Sequence, residues 1–322
     1  MSPPYRAPWW LPGPHVQTIV PARLLPVVAV PYRRERWETP DGDFIDVDQA
    51  QPAPGDPAEP VLVLFHGLEG DSSSHYARLL MDGCRREGWR GIVAHFRGCG
   101  GEPNRLARAY HSGDSDEIDW ILRRVAATWP QAPRHAVGIS LGGNALAKWA
   151  GERGSAAAGV VQAIAAVSAP LDLMAGGLAL GHGFNRFYAR NFLRTLRVKA
   201  LDKVRRFPGL ADAARIRAST TLQEFDDAFT APVHGFAGVF DYWQRAAARP
   251  HLGGIAIPAL LLNSRNDPFV PGASLPAPGE LSRHVITDFP AQGGHVGFRS
   301  GTGNADPWYL RSRVMGFLRD GR

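Results

Sequence analysis

Short apolar runs recur along the chain, each giving way to a glycine-containing loop and then to a stretch with helical spacing. Val61–Phe65 (VLVLF) leads through the loop 66–74 to a helix expected near His75–Glu87. Residues 91–96 (GIVAHF) lead to the Gly-rich loop 97–101 and later to a helix opening at Asp114. Asp114 and Glu117 have the spacing of a capping box ahead of Ile118, Ile121, Leu122 and Val125. Residues 135–139 (HAVGI) run directly into Ser140 and a helix over 141–151, and further apolar runs follow at 160–167, 257–263 and 284–289. Continuous apolar runs, as opposed to alternating ones, mark strands buried on both faces. Separated by helices, they predict an α/β fold with a mostly parallel central sheet and helices on both sides.

Between 171 and 249 the pattern changes, with no strand-like run and with aromatic and basic residues at helical spacing. That stretch reads as a helical cap inserted into a core made of 41–170 and 250–322. Residues 51–60 hold four prolines and read as a loop, while 1–40 are expected to be an irregular segment packed on the core. No repeat of solenoid length is present.

Composition narrows the class. The chain has 322 residues, 44% hydrophobic and 20% charged, enough for one large domain without staples. The two cysteines, Cys84 and Cys99, form no CxxC pair or Cys/His cluster, which argues against a disulfide scaffold or a zinc site. The proline-rich N-terminus resembles neither a signal peptide nor a membrane span. These features together point to the cytoplasm. HExxH is absent and 176–181 lacks the lysine of a phosphate loop, so no metal or cofactor is expected.

Gly138-Ile139-Ser140-Leu141-Gly142 fits G-x-S-x-G in the strand–turn–helix setting that this motif requires. The glycines let strand and helix approach while Ser140 occupies a tight turn. A serine hydroxyl needs a general base oriented by a third group, and chains with this turn carry them in the order Ser, acid, His. His295 lies in a Gly-flanked loop after the last strand, whereas His251 and His284 read as solvated or packed. Asp267 lies in the loop after 259–263, at the carboxyl end of a strand where ligand-facing groups gather, and Asp288 is its weaker rival. The oxyanion of an acyl-transfer intermediate needs two N–H donors. Leu141, after the nucleophile, and Leu68, in the loop 65–70, are the candidates, with His66 bracing that loop. His66 and Asp71 also match an HxxxxD acyltransferase spacing, but both fall in the oxyanion loop.

Long blocks then stand in a recognisable order: PWWLPGPHVQT at 8–18, FHGLEG at 65–70, FRGCGGEPNR at 96–105, YHSGDSDEIDW at 110–120, VGISLGGN at 137–144, FDDAFTAP at 225–232, NDPFVP at 266–271 and GGHVGF at 293–298. On these blocks the chain resembles the YheT-like group of α/β-hydrolase-fold esterases, related to the abhydrolase-domain lipases of eukaryotes. The resemblance implies a Ser140, Asp267, His295 triad and cofactor-free hydrolysis of a small-molecule or lipid ester. Thioesterase, amidase or acyltransferase chemistry on the same triad is the alternative, and a catalytically silent binding module is the non-enzyme reading.

The formal net charge of +6 is unevenly placed. Residues 181–219 hold ten basic and two acidic residues, a net of +8, which leaves the remainder slightly acidic at −2. Arg186, Arg190, Arg194 and Arg197 fall on one helical face, with Phe184, Phe187, Phe192 and Leu196 mostly opposite. Peripheral contact with an anionic membrane, or attraction of a substrate with an acidic group, is what this suggests, with a merely solvated face as the plain alternative. No nucleic-acid-binding pattern accompanies the charge.

Overall fold

All five residues of Val61–Phe65 are buried, and their side chains divide between two apolar layers. Val61, Val63 and Phe65 join Ile118, Ile121 and Trp149 on one face. Leu62 and Leu64 join Leu79, Leu80 and Phe317 on the other. Such a strand belongs in the middle of a sheet covered on both sides.

The computed structural model describes residues 4–53, 55–301 and 306–321. Its first part runs α1 (Gly13–Arg23), β1 (Tyr32–Glu38), β2 (Phe44–Ala50), β3 (Val61–Phe65), α2 (His75–Glu87), β4 (Arg90–Ala94), α3 (Ser115–Thr128), β5 (Arg134–Ile139), α4 (Leu141–Arg153) and β6 (Ala163–Val167). Helices α5 (Leu173–Leu180), α6 (Asn185–Arg206), α7 (Ala213–Ala218), α8 (Leu222–Phe225), α9 (Ala231–Val233) and α10 (Val239–Ala246) then intervene before β7 (Ala259–Leu262), β8 (Val285–Asp288) and α11 (Tyr309–Asp320). The eight strands lie in the order β1-β2-β4-β3-β5-β6-β7-β8. β1 and β2 are antiparallel at one edge, and the other six strands are mutually parallel. From β3 the chain moves outward to β4 and then returns to the other side as β5. The carboxyl ends of β3 and β5 therefore flank a topological switch point, where a crevice opens.

Two expectations need correction. The segment expected to be irregular over 1–40 is so only in part, because among its described residues 13–23 form α1 and 32–38 form β1. β1 (YRRERWE) is a charged, largely exposed edge strand, and α1 contains Pro21 and has no apolar stripe, so neither shows the usual periodicity. Asp114 does cap α3, its side chain accepting from Glu117 N–H at 3.4 Å. Glu117, however, does not reach back to complete the box. Its carboxylate accepts from Arg97 Nε at 2.5 Å.

Candidate active site

β5 ends at Ile139, and the next residue carries the sharpest turn of the region. Ser140 sits at φ 52° and ψ −117°, a conformation that costs a non-glycine residue free energy and that packing must enforce. The flanking glycines make the turn possible. A Cβ on Gly142 would stand 2.5 Å from the Phe65 carbonyl oxygen, and one on Gly138 would overlap the Gly142 carbonyl.

The structure brings Ser140, His295 and Asp267 together from three separate loops. Ser140 Oγ lies 3.1 Å from His295 Nε2, and His295 Nδ1 lies 2.8 Å from Asp267 Oδ2. Asp267 Oδ1 also accepts from the backbone N–H groups of Phe269 and Val270 at 2.8 and 3.3 Å, which fixes the carboxylate plane. The rival residues are engaged elsewhere: Asp288 with Tyr309 and Arg313, His284 with Arg283, and His251 near Glu152.

Leu68 and Leu141 line the same cavity as Ser140 and His295. Among the described residues neither backbone N–H has a protein acceptor, as a pair of donors held open for an oxyanion requires. The Leu68 loop is held from below. Buried His66 accepts from Phe96 N–H at Nε2, 3.1 Å, so its Nδ1 carries the proton and donates to Gly67 O at 2.7 Å. Burial pushes its pKa down to about 3, which leaves it a neutral brace. From above, Glu69 accepts from Tyr110 Oη at 2.7 Å and from Lys199 Nζ of α6 at 2.9 Å, tying the cap to this loop. Asp71 turns away and accepts from Ser73.

The residues that aim His295 escape sequence reasoning. Its own N–H donates to Thr18 Oγ1 of α1 at 2.9 Å, and Gln17 Oε1 accepts from Gly293 N–H and from Asn266 Nδ2, each at 2.9 Å. Val296 N–H donates to Ser168 Oγ at 3.0 Å, and His75 Nε2 donates to Val296 O at 3.0 Å. The block PWWLPGPHVQT contains Gln17 and Thr18, but nothing in its pattern says that they reach a loop more than 270 residues away. Thr18→Val removes that acceptor while keeping the shape and leaves the half-buried His295 N–H without it. The expected result is a fall in kcat of about 10- to 100-fold with little change in KM, read from steady-state kinetics on a soluble ester.

Above the serine, α5, α6, α8 and α10 roof a cavity of about 400 Å³. Leu173, Leu180, Phe192, Leu196, Phe225 and Phe229 give it apolar walls. Asp226 and Asp227 tie down the cap's return, Asp226 accepting from Trp243 Nε1 at 2.9 Å and Asp227 from Val239 N–H at 3.1 Å. Among the described residues no group of three His, Cys, Asp or Glu could hold a metal ion, and no helix is long and apolar enough to cross a membrane.

The sequence pattern of the alpha/beta hydrolase fold matches residues 60–301. YheT of Escherichia coli (strain K12), provisionally named an esterase, is 39% identical over 306 residues, covering 94% of this chain and 89% of that protein. Human phospholipase ABHD3 is 28% identical over 292 residues, 88% of this chain and 71% of the relative. Among solved structures, a Pyrococcus furiosus esterase superposes with a TM-score of 0.56 at 15% identity, covering 94% of this chain and 97% of that one, a likeness of fold.

Proposed function

Because the chain belongs to the alpha/beta hydrolase fold family, we propose that it hydrolyses carboxylic esters with Ser140 as nucleophile, His295 as general base and then acid, and Asp267 as the group that orients the imidazole. The observation that carries this reading is the unbroken hydrogen-bonded chain from Ser140 Oγ through His295 to Asp267, opening into an apolar cavity.

As Ser140 Oγ attacks the ester carbonyl carbon, His295 Nε2 takes the hydroxyl proton. The Nδ1–H to Asp267 contact holds the tautomer that makes this possible and stabilises the imidazolium that forms. The carbonyl oxygen becomes an oxyanion between the Leu68 and Leu141 N–H groups. Collapse breaks the bond to the alkoxy oxygen, which leaves as the alcohol with the proton from His295. Water, deprotonated by the same imidazole, then attacks the acyl-serine and releases the acid.

Relatives named for phospholipid hydrolysis and the aliphatic and aromatic cavity walls both favour an ester with an extended acyl chain. Each methylene buried in such a cavity is worth about 0.8 kcal/mol, or roughly fourfold. On nitrophenyl esters, kcat/KM should therefore climb from acetyl through butyryl to octanoyl. A flat or falling series would contradict the acyl-pocket assignment.

A further inference from the structure

Several of the large apolar side chains that the fold leaves exposed fall in two short stretches, residues 9–16 and 178–187. Trp9 is 92% exposed, Phe187 62% and Phe184 53%, and Trp10, Val16 and Leu178 are partly uncovered. They belong to two segments far apart in sequence, joined where His15 stacks on Phe184 with ring centroids 4.4 Å apart. Arginines share this end of α6. Phe184 and Phe187 do not oppose them as the helical spacing suggested, because the buried stripe is Tyr188, Ala189, Leu193 and Leu196 and leaves both phenylalanines exposed with the arginines. Arg186, Arg190 and Arg194 are exposed and make no ion pair or side-chain hydrogen bond among the described residues. This sets them apart from most of the basic stretch. Lys199 pairs with Glu69, Arg205 with Asp202 and Arg215 with Asp227, while Lys203 Nζ is bound by Asn104 and Leu106. Three charges without an ion pair are thus left together on the first half of α6, beside exposed Phe184 and Phe187, while exposed Arg217 of α7 is a further arginine without an ion pair among the described residues.

We propose that this face, Trp9, Trp10, Phe184 and Phe187 with Arg186, Arg190 and Arg194, seats the protein on an anionic lipid bilayer. The proposal deepens the ester-hydrolase reading and rests on it for the nature of the substrate. Indole and phenyl rings partition into the headgroup region, and unpaired arginines beside them gain from anionic lipid. A second copy of the chain does not suit the patch, since pairing it with itself would bring two uncompensated arginine clusters together.

The location gives docking a consequence. Tyr188, next to Phe187, packs on Phe269 at 4.7 Å, and Phe269 packs on the His295 ring at 4.2 Å. Tyr188 Oη also lies 3.2 Å from His15 Nδ1 of α1, the helix whose Thr18 holds the His295 backbone. The two segments that would touch lipid are therefore tied, through Tyr188, Phe269 and Thr18, to the residues that hold His295.

Co-sedimentation of the full chain with phosphatidylcholine vesicles, with and without phosphatidylglycerol, tests this. Binding should require phosphatidylglycerol and fall as salt is raised. Each arginine near such a surface is worth about fivefold in partitioning. Arg186→Gln/Arg190→Gln/Arg194→Gln should thus lose about a hundredfold, and Trp9→Ala/Trp10→Ala at least tenfold. Both variants should keep wild-type turnover of a soluble nitrophenyl ester, and Ser140→Ala should bind vesicles as wild type does, which separates docking from chemistry. Binding indifferent to phosphatidylglycerol or salt, retained in either variant, or replaced by self-association through this face would overturn the proposal. So would loss of soluble-ester turnover in the variants, which would make the patch part of the folded framework.

Discussion

Ester turnover by Ser140→Ala is expected to fall about 10⁴- to 10⁶-fold below wild type, with the fold untouched. Among the described residues the side chain of Ser140 has one hydrogen-bond partner, His295 Nε2 at 3.1 Å, so its removal strands no other group there. Alanine also differs from serine only by the hydroxyl and tolerates φ 52° as serine does. The thermal midpoint should therefore stay within a degree or two of wild type, as expected for a partly exposed truncation. Steady-state kinetics alongside a melt checks both halves. An activity loss matched by a collapse of the melt would point to structure instead of chemistry.

The second large effect is at Asp267→Asn, expected to lower kcat about 10⁴-fold. The carboxamide oxygen can still accept from Phe269 and Val270, whose N–H groups now bond to Oδ1. The amide NH₂ then faces His295 Nδ1, where the carboxylate oxygen lies 2.8 Å away. A donor there forces the imidazole to carry its proton on Nε2, pointing at Ser140 Oγ, and a protonated Nε2 cannot accept the serine proton. Geometry survives while the tautomer is wrong, so the loss should appear in kcat with KM little changed. Glutamate at 267 would not restore activity, because the longer side chain cannot keep both the backbone contacts and the imidazole contact.

Ser140, Asp267 and His295 are legible in the amino-acid sequence because each sits in a local pattern with its own mechanical reason: glycines two positions either side of Ser140, the loop at the end of an apolar strand for Asp267, and glycine neighbours for His295. The parallel strands are equally legible, since burial on both faces leaves continuous apolar runs. The hairpin of β1 and β2 leaves no such trace. Asp46 and Asp48 on β2 are buried but satisfied by Arg36, Arg34 and His95, contacts that no period-two pattern reveals. The support for His295 is hidden for a related reason. Gln17 and Thr18 act through hydrogen bonds to backbone brought close only by the tertiary fold. The basic stretch is legible as an excess of charge, but its pairing is not. Much of it binds other parts of the chain, while Arg186, Arg190 and Arg194 stay exposed on the helix that follows Phe184, whose ring meets His15 of the N-terminal segment.

The central claim is that Ser140 is the nucleophile. The most direct measurement is covalent labelling with a fluorophosphonate, followed by mass spectrometry of the modified peptide. The account predicts one stoichiometric adduct on Ser140, loss of ester turnover in step with labelling, and no adduct on Ser140→Ala. An adduct on another residue, or full turnover from a protein that the probe leaves unmodified, would contradict it.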